Sequence, residues 1–305
     1  MFKKSASIVL ALALLTACSS GDKKAAPANT VKFPVTMSTQ HSGQVRINTA
    51  PKSIISLSPT ATEDLFAVGA GSQVVAVDSL SNYPSNAPKS NLDAFTPNIE
   101  AILAKKPDLV VISNDMNNIV ASLKKANVPV LIEPVAETFD AAYFQILELG
   151  IATGHDGDAN GLVNSLKQEV SDTQAKLTTA GKKTSAYIEI DNTYYSATSS
   201  TMLGSLLALA SGTNIADKAP GASSGYPQLS AEYVVKANPQ IIFLTDAKAY
   251  NITADSVAKR PGFANVSAVK NNHVVVLDDD IAQRWGPRTI DVFKQMVDAI
   301  NAATK

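Results

Sequence analysis

One short loop carries three side chains that together could hold a small molecule: Asp280, Arg284 and Trp285. The loop follows a predicted strand at residues 274–277 and precedes a predicted helix. In an α/β sheet such a loop opens at the carboxyl edge, where ligands bind. An arginine offers a planar fork of donors to a carboxylate, a phosphate or an amide, and an indole offers a flat apolar face. We therefore predict ligand contacts from this loop. An ion pair between Arg284 and a neighbouring aspartate, Asp279 or Asp280, is the alternative role of the arginine.

Aromatic side chains occupy other loops that follow predicted strands. Tyr83 lies in the segment SNYPSNA, after the strand at residues 73–77, and a Tyr-Pro pair in such a loop can project its ring into a cleft. Tyr194 and Tyr195 follow the strand at residues 186–190. We expect one of these two rings to face the cleft and the other to pack, and the sequence does not distinguish them. Two further loop aromatics are weaker candidates: Phe95 and Tyr226.

Motifs for catalysis or for binding a free metal ion are weak. Residues 221–225 (GASSG) fit the G-x-S-x-G pattern, but their flanks are predicted loops, whereas a nucleophile elbow needs a strand before it and a helix after it. His41, His155 and His273 lie far apart along the chain, and the acidic stretch at 154–158 lacks the spacing of a calcium loop. We therefore expect no enzyme and no metal site. A surface-anchored hydrolase and a free metal-ion receptor remain the alternatives.

The single cysteine, Cys18, ends a secretory signal. Lys3 and Lys4 precede a short apolar run at residues 8–15, which is too short to span a membrane. The residues Leu-Thr-Ala-Cys look like a bacterial lipobox, in which the thiol accepts diacylglycerol. The following residues 19–30 are small, polar and proline-containing, which is typical of a flexible tether. We predict a lipid-anchored protein whose folded part lies outside the cytoplasmic membrane, on the bacterial cell surface or in the periplasm.

The elements that must position these side chains alternate between strand and helix. Short apolar runs alternate with helical patterns from residue 53 to residue 132, which predicts a parallel or mixed α/β sheet. Apolar residues recur at helical spacing from residue 158 to residue 180. A helix of that length spans roughly 35 Å, enough to run from one lobe into a second. The alternation restarts at residue 186.

The two halves of the chain share a pattern. Residues 97–113 (PNIEAILAKKPDLVVIS) align with residues 229–245 (LSAEYVVKANPQIIFLT) at an offset of 132 residues. Glu100 then corresponds to Glu232, and Pro107 to Pro239, with apolar residues matching in type between them. We infer two similar lobes with a cleft between them, where ligands bind in two-domain α/β proteins.

Composition excludes several classes of protein. The chain has 305 residues, of which 45% are hydrophobic and 17% charged, so it can bury substantial cores. Its formal net charge is −1, which gives no electrostatic reason to expect a nucleic-acid partner. One cysteine excludes an internal disulfide, a cysteine-based zinc site and a CxxC redox pair.

Seven segments together resemble one family: residues 53–71, 81–87, 97–113, 206–216, 229–245, 260–278 and 285–300. On these segments the chain resembles the lipoprotein substrate-binding proteins of ABC importers for cobalamin and ferric siderophores. The resemblance implies an α/β fold with two Rossmann-like lobes joined by a single long rigid helix. The expected divisions are a signal peptide (1–17), Cys18 with a tether and lead-in segment (18–49), an amino-terminal lobe (50–136), a helical segment (137–180) and a carboxy-terminal lobe (181–305).

The resemblance also implies roles for particular residues. Cobalamin binders of the family place the tyrosine equivalent to Tyr83 against the ligand, and the family carries an acidic residue and an arginine at places corresponding to Asp280 and Arg284. A small residue often stands where this chain has Trp285. Arg288 lies inside the following helix and is predicted to be structural.

The implied partners are a metal chelate and a membrane permease. In the family, glutamates equivalent to Glu100 and Glu232 form salt bridges with arginines on the two subunits of an ABC permease dimer, which works with its ATPase. The ligand would be a corrinoid or a ferric chelate, with haem as an alternative, and the protein a monomer without a cofactor. Because Arg284 is the one cation that we place in the cleft, the sequence slightly favours a neutral or weakly charged ligand. Lysines on cleft loops, such as Lys89, Lys218 and Lys248, could restore positive charge.

Overall fold

Short strands that are buried at every position form the centre of each lobe. Ile54–Leu57, Leu109–Ile112 and Ile241–Leu244 are each buried throughout, as expected of parallel strands covered by helices on both faces. The computed structural model describes residues 28–178 and 183–305. The predicted signal peptide and Cys18 therefore lie outside the described residues.

The described strands and helices follow one another along the chain. The strands are β1 (Val35–Thr39), β2 (Gly43–Ile47), β3 (Ile54–Leu57), β4 (Val74–Asp78), β5 (Lys89–Leu92), β6 (Leu109–Ile112), β7 (Val130–Ile132), β8 (Thr184–Glu189), β9 (Gly212–Asn214), β10 (Ile241–Leu244) and β11 (Val274–Val276). The α-helices are α1 (Pro59–Ala67), α2 (Ile99–Leu103), α3 (Ile119–Lys125), α4 (Phe139–Thr153), α5 (Asp156–Gln174), α6 (Met202–Leu209), α7 (Ala231–Ala237), α8 (Ala247–Tyr250), α9 (Ala254–Ala258), α10 (Ser267–Lys270), α11 (Asp279–Ala282) and α12 (Thr289–Ala303).

The strands form one parallel sheet in each lobe. The amino-terminal sheet has the order β5-β4-β3-β6-β7 and the carboxy-terminal sheet the order β9-β8-β10-β11. Four strands of the first sheet, β4-β3-β6-β7, thus correspond in order to the four of the second. Strands β6 and β10 lie at the offset of 132 residues, and the helix before each begins after a polar cap, Asn98 or Ser230. The two α/β lobes are therefore built on the same pattern.

A hairpin precedes the first lobe. Strands β1 and β2 pair in antiparallel register, and Met37, Val45 and Ile47 are buried in the main core. The sequence pattern does not predict these strands, because polar and apolar residues alternate over only five positions in each of them. The lead-in segment is thus partly folded onto the lobe.

Two helices lie between the lobes. Helix α5 is the predicted linking helix, although it begins at Asp156 and ends at Gln174, a length of roughly 28 Å at 1.5 Å per residue. Helix α4 lies antiparallel beside it, and the chain reverses at Gly154, whose φ of 82° is left-handed. At Gly150 a Cβ would lie 2.3 Å from the Cβ of Ala159, so this glycine allows the close approach of the two helices.

One apolar cluster extends through both lobes by way of these helices. It includes Ile54 and Leu109 from the first sheet, Phe243 from the second, and Ile146 from α4. Phe139 at the start of α4 packs edge-on against Phe293 of α12, with ring centroids 5.9 Å apart. The lobes therefore share a core behind the cleft. Among the described residues, no helix is long and apolar enough to cross a membrane.

Candidate functional site

A cavity of about 470 Å³ lies between the lobes at the carboxyl edge of the amino-terminal sheet. The first lobe lines it with the residues that end β3, β4 and β6: Leu57 to Thr60, Asp78 to Leu80, Ser113 and Asn114, together with Asn82, Ala94 and Phe95. The second lobe contributes Asp280, Gln283, Arg284 and Trp285. The predicted loop therefore does face a cleft, although its first part is the short helix α11 rather than a loop. Neutral polar groups surround much of the cleft.

A second cavity of about 310 Å³ adjoins the first. Its lining is more apolar and comes largely from the carboxy-terminal lobe: Ile190, Thr201, Met202, Leu203, Tyr226, Thr245 and Ala282, with Val135 from the linking segment. Residues 283–285 line both cavities. This segment thus divides the cleft into a larger polar compartment and a smaller apolar compartment.

Arg284 lines both compartments, and its guanidinium is bonded to side chains of the opposite lobe. Its Nη1 donates to Oε1 of Glu63 at 2.7 Å, and its Nη2 donates to Oδ1 of Asn82 at 2.7 Å. Asp280 is one of the two ion-pair partners predicted for Arg284, and its Oδ1 lies 3.5 Å from Nη2. The principal partner of Arg284 is thus Glu63, which neither interpretation of the sequence included.

Arg288 binds the same carboxylate. Its Nε donates to Oε2 of Glu63 at 2.8 Å, and its Nη2 donates to Oε1 at 2.5 Å. The guanidinium lies 3.9 Å from the centroid of the Tyr83 ring. Tyr83 therefore lines a separate surface pocket with Glu63 and Pro287, and the structure does not bring it into the two compartments.

Asp280 also connects the lobes. Asn82 Nδ2 donates to its Oδ2 at 3.2 Å, and Lys248 Nζ lies 3.5 Å from the same oxygen. Burial by itself would raise the pKa of Asp280, but the hydrogen bond from Asn82 and the charges of Arg284 and Lys248 outweigh it, so the pKa lies below its usual value. The carboxylate is ionised at neutral pH and faces the larger compartment.

Trp285 is held in place by helix α4. Its Nε1 donates to Oε1 of Gln145 at 2.9 Å, and Gln145 Nε2 donates to the carbonyl of Pro134 at 2.8 Å. The indole lines both compartments. With its polar edge bonded to α4, it can offer its apolar surface to a ligand.

The other predicted aromatic residues divide between packing and exposure. The Tyr194 ring packs on Phe263, with centroids 6.1 Å apart, and lies near Arg260. Tyr195 is exposed, and neither tyrosine lines the two compartments. The two weaker candidates line the compartments instead: Phe95 lies in the larger one and Tyr226 in the smaller one.

Sequence reasoning missed the polar residues that line or support the larger compartment from the first lobe. Asp78 ends β4, is 1% exposed and accepts a hydrogen bond from the Ser81 hydroxyl. The Thr62 hydroxyl lies 3.0 Å from that of Ser81 and continues the chain of hydroxyl groups. Burial raises the pKa of Asp78 despite these hydrogen bonds. The usable signal was the position of Asp78 at the carboxyl end of a strand.

Glu100 and Glu232 occupy equivalent places on the two lobes. Each is exposed and is the second residue of its helix. A helix that connects parallel strands runs back across the sheet, so α2 and α7 begin at the carboxyl edge. Phe95 and Tyr226, which line the compartments, precede these helices by a few residues. The two glutamates therefore flank the cleft, one on each lobe.

The described residues offer little for metal binding or nucleophilic catalysis. Within 28–178 and 183–305, no three His, Cys, Asp or Glu side chains come together in a way that could hold a metal ion. Residues 221–225 form a loop around a short 3-10 turn, Ala222–Ser224, between two glycines with left-handed backbone.

Comparison with known proteins agrees with this geometry. An uncharacterized ABC transporter substrate-binding lipoprotein, YvrC of Bacillus subtilis, is 32% identical over 307 residues, covering 97% of this chain and 95% of that relative. The crystal structure of a possible iron-binding, periplasmic solute-binding protein from Staphylococcus epidermidis matches with a TM-score of 0.72 and 28% identity, over 82% of this chain and 99% of that one. The periplasmic vitamin B12 binding protein BtuF of Vibrio cholerae matches with a TM-score of 0.70 and 26% identity, over 84% and 99% of the two chains. Residues 54–281 match the family described as periplasmic binding protein, and the chain belongs to that family.

Proposed function

We propose that this protein captures a metal-chelate small molecule, a corrinoid or a ferric chelate, between its lobes and delivers it to an ABC importer. The observation that carries the proposal is the divided cleft, in which residues 283–285 form the wall between a polar compartment and an apolar one. A chelate of this kind presents both an apolar surface and polar side groups. The indole of Trp285 suits the first, and the hydroxyl and amide groups of Ser113 and Asn114 suit the second.

The names of the matched proteins support the class of ligand. The Vibrio cholerae structure is that of a vitamin B12 binding protein, and the Staphylococcus epidermidis structure is that of a possible iron-binding protein. Both have the fold described above. The first name supports a ligand in which an organic chelator holds a transition metal, and the second supports iron as a possible metal.

The two flanking glutamates support delivery to a symmetric partner. Glu100 and Glu232 are exposed acidic groups at equivalent positions of two similar lobes. Two pseudo-symmetric acidic residues match a permease homodimer that offers one basic pocket on each subunit. Charge pairs of this kind steer the encounter and set the register.

The amino-terminal segment supports a membrane-anchored location. The sequence Leu-Thr-Ala-Cys places the only cysteine of the chain at the position that a lipoprotein signal requires, and YvrC is named a lipoprotein. We propose that Cys18 carries the lipid and that the lobes act outside the cytoplasmic membrane as a monomer, at the permease. The two lobes would comprise residues 50–136 and 181–305.

Titration of the purified full chain tests the proposal. Calorimetry with cyanocobalamin, haem, a neutral ferric trihydroxamate and a ferric tris-catecholate should give saturable binding of at least one ligand at one site per chain. Trp285→Ala should weaken that binding, because the indole lines both compartments. If no metal chelate binds saturably, the proposed function is wrong.

A further inference from the structure

Glu63 is a buried carboxylate held by two arginines of the opposite lobe. It lies on α1, is 3% exposed, and accepts hydrogen bonds from Nη1 of Arg284 and from Nε and Nη2 of Arg288. It does not itself line either compartment. It is bonded instead to Arg284, which lines both compartments.

Arg284 is the one cationic side chain among the described residues that line the two compartments. Its side chain is 9% exposed; Nη1 is paired with Glu63, and Nη2 is bonded to Asn82. Two carboxylates, Asp78 and Asp280, share the lining. The cleft therefore offers a ligand paired positive charge and two acidic groups.

We propose that Glu63 is a specificity-determining residue that, together with Asp280, offsets the positive charge of Arg284 in the cleft and so disfavours anionic chelates. This inference rests on the proposed function, and it assigns the ligand to the class of neutral chelates with amide, hydroxyl or hydroxamate groups. A neutral chelate meets hydroxyls, amides and an indole. An anionic chelate meets the ionised carboxylate of Asp280, with the buried Asp78 beside it in the lining.

Competition for Arg284 does not relieve an anionic ligand of this difficulty. To pair with the guanidinium, the ligand must displace the Glu63 carboxylate, which would then be buried with only Arg288 as a partner. Leaving a buried charge with fewer partners is strongly unfavourable. The buried position of Glu63 and its bonds to both arginines thus make the exclusion effective.

The test compares the affinities of the full chain for two ferric chelates that are similar in size and differ in charge. One is a neutral ferric trihydroxamate and the other a triply anionic ferric tris-catecholate. In the wild type the neutral chelate should bind at least tenfold more tightly. In Glu63→Gln, which keeps the shape and removes the charge, the ratio of anionic to neutral affinity should rise at least tenfold. In the double variant Glu63→Gln/Arg284→Gln the ratio should return to near the wild-type value.

A matched control is Glu169→Gln, which removes the charge of another ion-paired glutamate, bonded to Lys294 at 2.9 Å and outside the lining of the cleft. It should leave the ratio unchanged. Thermal unfolding of each variant shows whether it is folded. If Glu63→Gln does not fold, Glu63→Asp decides: its shorter carboxylate keeps the charge but loosens the contact with Arg284, so the ratio of anionic to neutral affinity should still rise at least threefold, and an unchanged ratio would overturn the role of Glu63.

The outcomes separate the two proposals. If the wild type binds no chelate, the proposed function fails. If it binds chelates but a folded Glu63→Gln leaves the affinity ratio unchanged, the role of Glu63 is overturned and the proposed function stands. Tight wild-type binding of the tris-catecholate that is lost in Arg284→Gln would overturn it equally.

Discussion

The indole Nε1 of Trp285 and the side-chain oxygen of Gln145 are joined by a hydrogen bond of 2.9 Å. The bond connects the loop after β11 to α4, which lies between the lobes. Residues 283–285 form the wall between the two compartments, so their position depends on the linking segment as well as on the carboxy-terminal lobe. Trp285 is also the only tryptophan of the chain.

Ligand binding should therefore change the intrinsic fluorescence of the protein. Because the single indole lines both compartments, a corrinoid or ferric chelate that absorbs near its emission should quench it saturably. Fluorescence titration measures this, and the quenching constant should agree with the calorimetric dissociation constant. In Trp285→Phe the signal should be absent. Saturable binding by calorimetry without any fluorescence change would place the ligand elsewhere.

Replacing Glu100 and Glu232 should separate binding from transport. In Glu100→Ala and Glu232→Ala the affinity for ligand should stay at the wild-type value, because both residues are exposed and lie outside the linings of the two compartments. Ligand uptake, and stimulation of the ATPase in a reconstituted importer, should fall roughly tenfold for each variant and further for the double variant. Loss of ligand affinity in step with transport would contradict the docking role.

Removing Arg260 should strongly destabilise the carboxy-terminal lobe. Its Nη1 and Nη2 donate to Glu189 at 2.5 and 2.7 Å, and Glu189 is fully buried. Arg260→Met leaves that carboxylate buried without its cation, which typically costs about 3–5 kcal/mol. Urea unfolding should show this loss, and Glu189→Gln/Arg260→Met should recover part of it. Equal destabilisation in both variants would show that packing, rather than charge, is responsible.

Buried carboxyl groups at the lobe interface should make stability fall as pH rises. Burial raises the pKa of Glu148 to about 7, and burial and neighbouring carboxylates raise that of Glu133 well above its usual value. The folded state therefore binds more protons than the unfolded state between about pH 4 and pH 7. The stability from Glu148 is fully present below the unfolded pKa and is lost as pH rises through about 7.

The variant Glu148→Gln isolates this effect. The difference in unfolding free energy between the wild type and Glu148→Gln should change in favour of the variant by on the order of 3 kcal/mol from pH 4 to pH 8. Urea unfolding at several pH values measures it. A difference that does not vary with pH would show that Glu148 titrates normally.

Replacing Cys18 should release the protein from the membrane. In Cys18→Ser the thiol that we propose as the lipid acceptor is absent, so the protein should move from the membrane fraction to the soluble extracytoplasmic fraction. Ligand affinity should be unchanged. Fractionation measures whether the protein is in the membrane or the soluble fraction, and mass spectrometry of the amino-terminal peptide shows whether it carries a lipid. Retention of Cys18→Ser in the membrane fraction would require another anchor.

Local patterns made much of the fold predictable. Strands β6 and β10 were predictable at an offset of 132 residues, because each is a continuous apolar run that follows a proline which ends a helix. The linking helix α5 was predictable from its helical spacing. Hairpin β1–β2 was not, because its strands alternate over too few residues to stand out.

The candidate site was predictable only as a loop. The position of residues 280–285 after a strand identified the side of the sheet on which they lie, and the structure places them at the cleft. The partner of Arg284 was beyond reach, because Glu63 lies 221 residues earlier and its place in the sequence is that of an ordinary acidic residue near a helix start. Tyr83 was predicted to project into the cleft, but its contact with Arg288 in a separate pocket depends on how the lobes meet.

The sequence by itself determined the two-lobe α/β pattern, the repeated helix and strand, and the cleft-side loops, because each depends on residues close together along the chain. Only the tertiary structure decided which charges in the cleft are paired. Glu63, Arg284 and Arg288 come from opposite lobes, and their pairing follows from the packing of α4 and α5 that sets the lobes against each other. The chemistry available to a ligand is therefore a property of the assembled lobes.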